Sequence, residues 1–175
     1  MEMNFCRRCG TPLAHKGGNA YTCTNGHQLY VNAAPTVGVF LIADDDRVLL
    51  ARRGIEPGKG LLDTFGGFAD GSESIETTAE RELREELSLE RNEYGDLHYI
   101  GSFESTYLFD GEYMPVLSTI FWAHLRTTRT LTPSDDVAEI VILPISAVDE
   151  SQVHNTDIVH AVQALKTLES EGKLQ

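Results

Sequence analysis

Three glutamates, Glu82, Glu85 and Glu86, fall on a segment whose apolar residues recur every fourth position, Ile75, Ala79, Leu83 and Leu87. That recurrence marks a helix over 74–87. At about 100° per residue, with Glu82 at zero, Glu85 lies near −60° and Glu86 near +40°, so one arc of roughly 100° carries all three carboxylates. Glu86 points between Ile75 and Ala79, inside the apolar stripe. A carboxylate clustered with others in apolar surroundings is costly unless a cation or hydrogen bonds compensate it. Divalent Mg²⁺ or Mn²⁺, which take oxygen ligands, are the natural remedy. Glu76, Glu80 and Arg84 fall on the opposite, solvated side, with Glu80 and Arg84 in the favourable i, i+4 order.

The loop before this helix reads Gly66-Gly67-Phe68-Ala69-Asp70-Gly71-Ser72-Glu73. Gly67, five residues, Glu73, seven residues, then Arg81-Glu82-Leu83-x-Glu85-Glu86-x-Ser88-Leu89 resembles the Nudix box of the Nudix hydrolases. Every specified position matches except Ser88, where the box has glycine. That glycine closes the helix in a left-handed conformation, so serine there costs about 1 kcal/mol or shifts the turn. It is not a metal ligand. A second departure lies at Leu62 and Phe65, near which family members often have Trp and Pro.

The resemblance implies roles for individual residues. Glu82, Glu85 and Glu86 match the metal-binding carboxylates, with the backbone carbonyl of Gly66 as an extra ligand. Arg81 matches the arginine that orients a neighbouring glutamate, and Glu73 the glutamate preceding the helix. The general base in the family is a glutamate of the box or of a later loop. Glu139 is the candidate outside the box, because Asp136-Val137-Ala138-Glu139-Ile140 resembles the acidic segment before a late strand. Glu85 and Glu86 compete with it, and Glu104 and Glu112 have weaker grounds. Arg52, Phe65 and Tyr107 are expected to touch the substrate. The implied activity is Mg²⁺- or Mn²⁺-dependent hydrolysis of a diphosphate linkage in a nucleoside diphosphate derivative such as NADH, ADP-ribose or a related dinucleotide. A nucleotide-binding module without activity is the alternative, although such modules typically lose box glutamates and all are present here. Isopentenyl-diphosphate isomerase chemistry, which shares the fold, needs a cysteine in the catalytic domain, and none follows Cys23.

The three cysteines all lie in the first 27 residues and cannot pair off as disulfides. Cys6-x₂-Cys9, thirteen residues, then Cys23-x₃-His27 has the layout of a small zinc ribbon. Gly10 and Gly26 suit its tight turns, and His15 rivals His27 as fourth ligand. Four protein ligands leave no open position, so the zinc is structural. Some Nudix enzymes resembling NADH pyrophosphatases carry such a ribbon at the N-terminus. The Ser-Gln-Pro-Trp-type segment of NADH-cleaving relatives is absent, the region reading Ile100-Gly101-Ser102-Phe103-Glu104-Ser105. The proline of many ADP-ribose-cleaving relatives is absent too. Tyr107 lies where dinucleoside-polyphosphate relatives often have a tyrosine.

These groups need a scaffold. Strands are expected at 36–42, at 47–53 as its hairpin partner, at 97–103, at 106–109, at 113–125 across the tight-turn dipeptide Asp110-Gly111, and at 139–143. A closing amphipathic helix spans about 156–171, with Ile158, Ala161, Val162, Leu165 and Leu168 inward. The fold class is α+β: an α/β/α sandwich with a mixed sheet over 33–175, preceded by the ribbon over 1–32.

With 14 basic and 27 acidic residues, the chain carries a formal net charge of −13. Such a field repels nucleic-acid backbones and anionic membranes, despite a small basic patch at Arg7, Arg8 and Lys16. A phosphate-bearing substrate must therefore be attracted locally, most simply by bound cations. No apolar run approaches the roughly 18–20 residues of a membrane span, and the N-terminus lacks a signal-peptide pattern. The expected partner is a small nucleotide in the cytoplasm, with self-association as a homodimer left open.

Overall fold

The computed structural model describes residues 3–174. Strands β1 (Leu13–Gly17), β2 (Ala20–Cys23) and β3 (Gln28–Tyr30) form a small antiparallel sheet. Its core is little more than Cys6, Cys23 and Leu29, with Met3 and Leu13 against them. So small an apolar nucleus cannot hold a fold by burial alone, and a staple of another kind is needed.

The remaining chain forms a six-stranded mixed sheet from β4 (Ala34–Ile42), β5 (Arg47–Arg53), β6 (Leu62–Asp63), β7 (His98–Phe109), β8 (Glu112–His124) and β9 (Val137–Pro144). Helices α1 (Ile75–Leu87) and α2 (Thr156–Ser170) cover its two faces. Central β4 shows why: Val37, Val39 and Leu41 pack with Ala79, Leu83 and Leu87 of α1, while Phe40 and Ile42 pack with Ile158, Ala161 and Leu165 of α2. A strand buried on both faces reads as a continuous apolar run rather than an alternation. It pairs in parallel with β8 along its whole length.

The hairpin expected between 36–42 and 47–53 is present but short, and one strand expectation needs correction. β5 meets β4 only at Leu41–Leu49 and Ile42–Val48. Its long ladder is with β9, from Arg47–Pro144 to Arg53–Val137. The two stretches around 97–109 are one edge strand, β7, bulged between Tyr99 and Gly101. The polar pair Glu104-Ser105 looks like a break in sequence, yet its backbone pairs with Leu117 and Val116. The β7–β8 turn places Asp110 and Gly111 at φ 47° and 82°, the primed hairpin geometry.

The divergence of β5 from β4 matters for the site. Residues 65–69 fill the gap by pairing with β4: Val39 N–H donates to the Phe65 carbonyl (2.7 Å), Val37 N–H to that of Gly67 (2.9 Å), and Ala69 N–H to that of Pro35 (3.1 Å). The glycine loop is thus held between strands. No helix among the described residues is long and apolar enough to cross a membrane.

Candidate active site

Helix α1 starts at Ser74, whose hydroxyl accepts the Thr77 N–H at 3.2 Å. It ends at Ser88, which adopts the left-handed conformation at φ 53°. Ser88 N–H donates to the Arg84 carbonyl (2.9 Å) and Leu89 N–H to that of Leu83 (3.2 Å), so serine completes the closing turn in glycine's usual place. Between these caps Glu86 is only 3% exposed and Glu82 is buried, while the Glu85 side chain is 48% exposed. On the solvated face Glu80 forms its ion pair with Arg91, at 3.4 Å.

Arg81 organises the acidic cluster. Its Nε and Nη2 donate to Glu73, with the shortest contact at 3.0 Å. One Nη1 donates to both Glu82 Oε1 (2.7 Å) and Glu85 Oε2 (2.8 Å), and Nη2 also reaches the Phe68 carbonyl (3.1 Å). The guanidinium holds the Glu73 carboxyl below its usual range, and these partners raise the pKa of Arg81 itself. Burial pushes Glu82 up, with Arg81 opposing.

Glu86 has no such cation. Its Oε2 accepts the Gly66 N–H at 3.0 Å. Burial pushes its carboxyl up to about 10, and Asp136 and Glu82 add to the shift against the one amide that lowers it. The two glycines make this proximity feasible. Gly66 has φ 149°, and a Cβ there would lie 2.1 Å from the Val37 carbonyl oxygen. A Cβ on Gly67 would lie 2.6 Å from Glu82 Oε1. Gly66 meets the cluster through its amide N–H.

Asp136 is the site residue that sequence reading missed. Ser134 ties its loop to the end of α1, its N–H donating to the Glu86 carbonyl (2.8 Å) and its hydroxyl to that of Glu85. Gly54 N–H donates to the Asp136 carbonyl at 2.6 Å. The acidic pair Asp135-Asp136, just before Glu139, is the signal that the sequence offers.

Glu139 pairs with Arg52 at 2.7 Å across β5 and β9. Strand alternation turns the neighbouring arginine, Arg53, into the cleft. Phe65 is the expected contact that placement corrects. Phe65 is fully buried among core residues such as Val39 and Leu83, so its ring cannot meet a ligand. Tyr107 does line the cleft, edge-to-face with Phe68 at 5.4 Å between ring centroids. Glu104 and Glu112 are exposed.

Glu82, Glu86 and Asp136, with Glu85 at the rim, offer only oxygen donors, which suit a hard divalent cation; Arg81 counters Glu82 and Glu85, whereas buried Glu86 faces Asp136 with only the Gly66 amide to stabilise its charge. In the small sheet, ligand atoms of Cys6, Cys9, Cys23 and His27 all lie within 4.8 Å of one another. Cys9 Sγ to Cys23 Sγ is 3.8 Å and Cys6 Sγ to His27 Nδ1 is 3.6 Å. Zn–S bonds of about 2.3 Å give tetrahedral edges of about 3.8 Å, so the cluster fits zinc. Hydrogen bonds to Thr11 lower the Cys9 thiol to about 5, which favours the thiolate a metal requires. His15 lies outside the cluster, its Nε2 2.9 Å from the Gly18 carbonyl oxygen.

The chain has clear relatives. The human mitochondrial NAD(P)H pyrophosphatase NUDT13 is 37% identical over 87 residues, which are 49% of this chain and 24% of that protein. The NAD-capped RNA hydrolase NudC of Pseudomonas fluorescens is 36% identical over 106 residues, 58% of this chain and 36% of that one. The chain therefore spans well under half the length of these curated relatives. A NUDIX hydrolase from Nitrosomonas europaea superposes with a TM-score of 0.67 at 21% identity, covering 97% of this chain and 92% of that one. The NUDIX domain of Shewanella oneidensis NrtR, solved with ADP ribose, gives 0.60 at 19% identity, covering 78% and 88%. The sequence model of the NUDIX domain matches residues 32–163. The chain belongs to the Nudix family.

Proposed function

We propose that this chain is a pyrophosphohydrolase that cleaves the diphosphate linkage of a nucleoside diphosphate derivative, with Mg²⁺ or Mn²⁺ as cofactor. The observation that carries this reading is buried Glu86, which faces Asp136 and Glu82 and has no cation of its own. Glu82, Glu86 and Asp136 would hold the metal, which when bound neutralises phosphate charge and acidifies a bound water. Gly66 and Gly67 let the backbone come close to that centre, and Arg81 fixes the rotamers of Glu73, Glu82 and Glu85. Glu85, half-exposed at the rim with one oxygen on Arg81, is suited to accept the proton of the attacking water. Local cations also answer the net charge of −13, which would otherwise repel a polyphosphate.

Residues 1–32 act in this reading as a structural zinc ribbon on Cys6, Cys9, Cys23 and His27, and 33–175 as the hydrolase domain. The names of the relatives favour substrates that contain an ADP-ribosyl or dinucleotide unit, such as NADH or ADP-ribose. The test is incubation with Mg²⁺ and NADH, ADP-ribose, FAD, dinucleoside polyphosphates or nucleoside triphosphates, followed by separation of products. Release of AMP from NADH or ADP-ribose is the expected result. Tight binding without cleavage of any of them would make the chain a nucleotide-binding module instead.

A further inference from the structure

Beside the carboxylate cluster lies a cavity of about 120 Å³, bounded on that side by Gly66, Gly67 and Asp136 and elsewhere by polar groups that the hydrolytic centre does not use. Asp157, in the first turn of α2, is 4% exposed. Its Oδ2 accepts a short hydrogen bond from the Ser118 hydroxyl. Ser118 Oγ lies 2.7 Å from Thr36 Oγ1; because the Ser118 proton goes to Asp157, Thr36 is the donor in that contact. Thr36 and Ser118 are register partners in the parallel β4–β8 pair, so the sheet itself fixes this chain of hydroxyls and the carboxylate at its end.

The other oxygen, Asp157 Oδ1, is buried without a hydrogen-bond partner, as are Arg53 Nη2 and His154 Nε2. Arg53 spends its Nη1 on Asp63 (2.9 Å) and its Nε on the Pro57 carbonyl (2.8 Å), which leaves Nη2 as a fixed donor. Burial, and then Arg53, depress the His154 ring to about 4, so it faces the cavity uncharged. Buried polar atoms are nearly always paired, and three orphans around one cavity mark a place prepared for a ligand. The walls are apolar: Phe68 and Tyr107 at the aromatic side, Val37, Ile120 and Ile158 elsewhere. Apolar walls with a few convergent polar atoms are the usual make-up of a small-molecule pocket. Sites for whole drug-sized ligands run to about 300–1,000 Å³, so this cavity suits one ring of a larger molecule.

We propose that this cavity seats the heterocyclic end of the substrate and selects a ring edge with one N–H donor beside one acceptor, read by Asp157 Oδ1 and Arg53 Nη2. The proposal rests on the hydrolase reading for the neighbouring centre, with which the cavity shares Gly66, Gly67 and Asp136. Because Ser118 occupies Oδ2, Asp157 offers one acceptor and not two. Adenine, with its amine beside a ring nitrogen, satisfies that pattern, and so does the carboxamide of nicotinamide. Guanine also presents N1–H beside O6, but its 2-amine sets a second donor next to N1–H that the single free oxygen of Asp157 does not take.

The test is calorimetric titration of the full chain, with Mg²⁺ present, by mononucleotides that contain no diphosphate to cleave. AMP is compared with purine riboside 5′-monophosphate, which lacks the amine, and with GMP. Nicotinamide mononucleotide is compared with nicotinic acid mononucleotide, which lacks the donor. At least tenfold preference in the AMP set identifies adenine as the occupant, and the same preference in the nicotinamide pair identifies nicotinamide. Asp157→Ala should reduce that preference to less than about threefold, a readout that general loosening of the fold would not give. Should Asp157→Ala fold poorly, Ser118→Ala frees Oδ2 and should improve GMP relative to AMP. Equal binding within both sets overturns the proposal. Hydrolysis indifferent to the ring would likewise overturn it while leaving the hydrolase reading intact, and ring-selective binding without any hydrolysis would support the pocket while sinking the hydrolase.

Discussion

Gly66 and Glu86, twenty residues apart, meet where the glycine amide donates to a glutamate oxygen at 3.0 Å inside the protein. The backbone of Gly66 can reach that point because it lacks a Cβ, which would lie 2.1 Å from the Val37 carbonyl oxygen. Gly66→Ala should therefore destabilise the fold by more than about 1 kcal/mol, since its φ is unsuited to alanine. The same change withdraws the amide from Glu86. Denaturant melts and hydrolysis assays should both show the loss; a variant of unaltered stability would mean that the loop sits elsewhere.

Glu86 sets a pH dependence. Its carboxyl is pushed from the usual 4.5 up to about 10, by burial first and by Asp136 and Glu82 next. Across neutral pH the folded chain then keeps a proton that the unfolded chain releases. Without divalent metal, stability should be full below pH 4.5 and decline as pH rises toward 10, by at most about 1.4 kcal/mol per unit. Glu86→Gln should flatten that slope and raise Tm at pH 8, and Mg²⁺ should raise the wild-type Tm more at pH 8 than at pH 6. A wild-type Tm that climbs with pH in chelator contradicts the assignment.

Ser88 closes α1 in the left-handed conformation. Ser88→Gly should stabilise the chain by about 1 kcal/mol through relief of that conformation. Because Ser88 contributes no metal-binding group, kcat should stay within about twofold, a change well under the 1.4 kcal/mol that makes a factor of ten. Parallel urea titrations of the two proteins provide the check.

The small sheet should depend on zinc. Protein purified without chelator should carry close to one zinc per chain, and Cys9→Ser or Cys23→Ser should lose it and unfold the segment before β4 first. Metal analysis with limited proteolysis reads both effects. Less than about half an equivalent of zinc, with the segment still resistant to protease, argues against a tetrahedral site there.

Local pattern revealed the part of the site that a single helix carries. Glu86 stood out because it interrupts the apolar stripe of Ile75, Ala79, Leu83 and Leu87, and burial follows directly from that position. Asp136 did not, because it joins Glu86 only through a loop that Ser134 ties to the end of α1 some fifty residues earlier. Arg52 and Arg53 differ by one step of strand parity, and parity depends on which face β9 and β6 leave open. Phe65, expected from the sequence to touch the substrate, is drawn into the core by the pairing of 65–69 with β4. The Asp157–Ser118–Thr36 chain left no mark in sequence, since its three members come from α2, β8 and β4 and meet only when the sheet and helix pack.

The account turns on which carboxylate outside α1 belongs to the catalytic centre. The direct measurement is kcat/KM for ADP-ribose hydrolysis with Mg²⁺ in Glu86→Gln, Asp136→Asn and Glu139→Gln, each checked for folding by its melting curve. Glu86→Gln and Asp136→Asn should lose on the order of 10²–10³-fold, and Glu139→Gln should remain within about threefold of wild type. Near-normal activity in Asp136→Asn together with collapse in Glu139→Gln would contradict it.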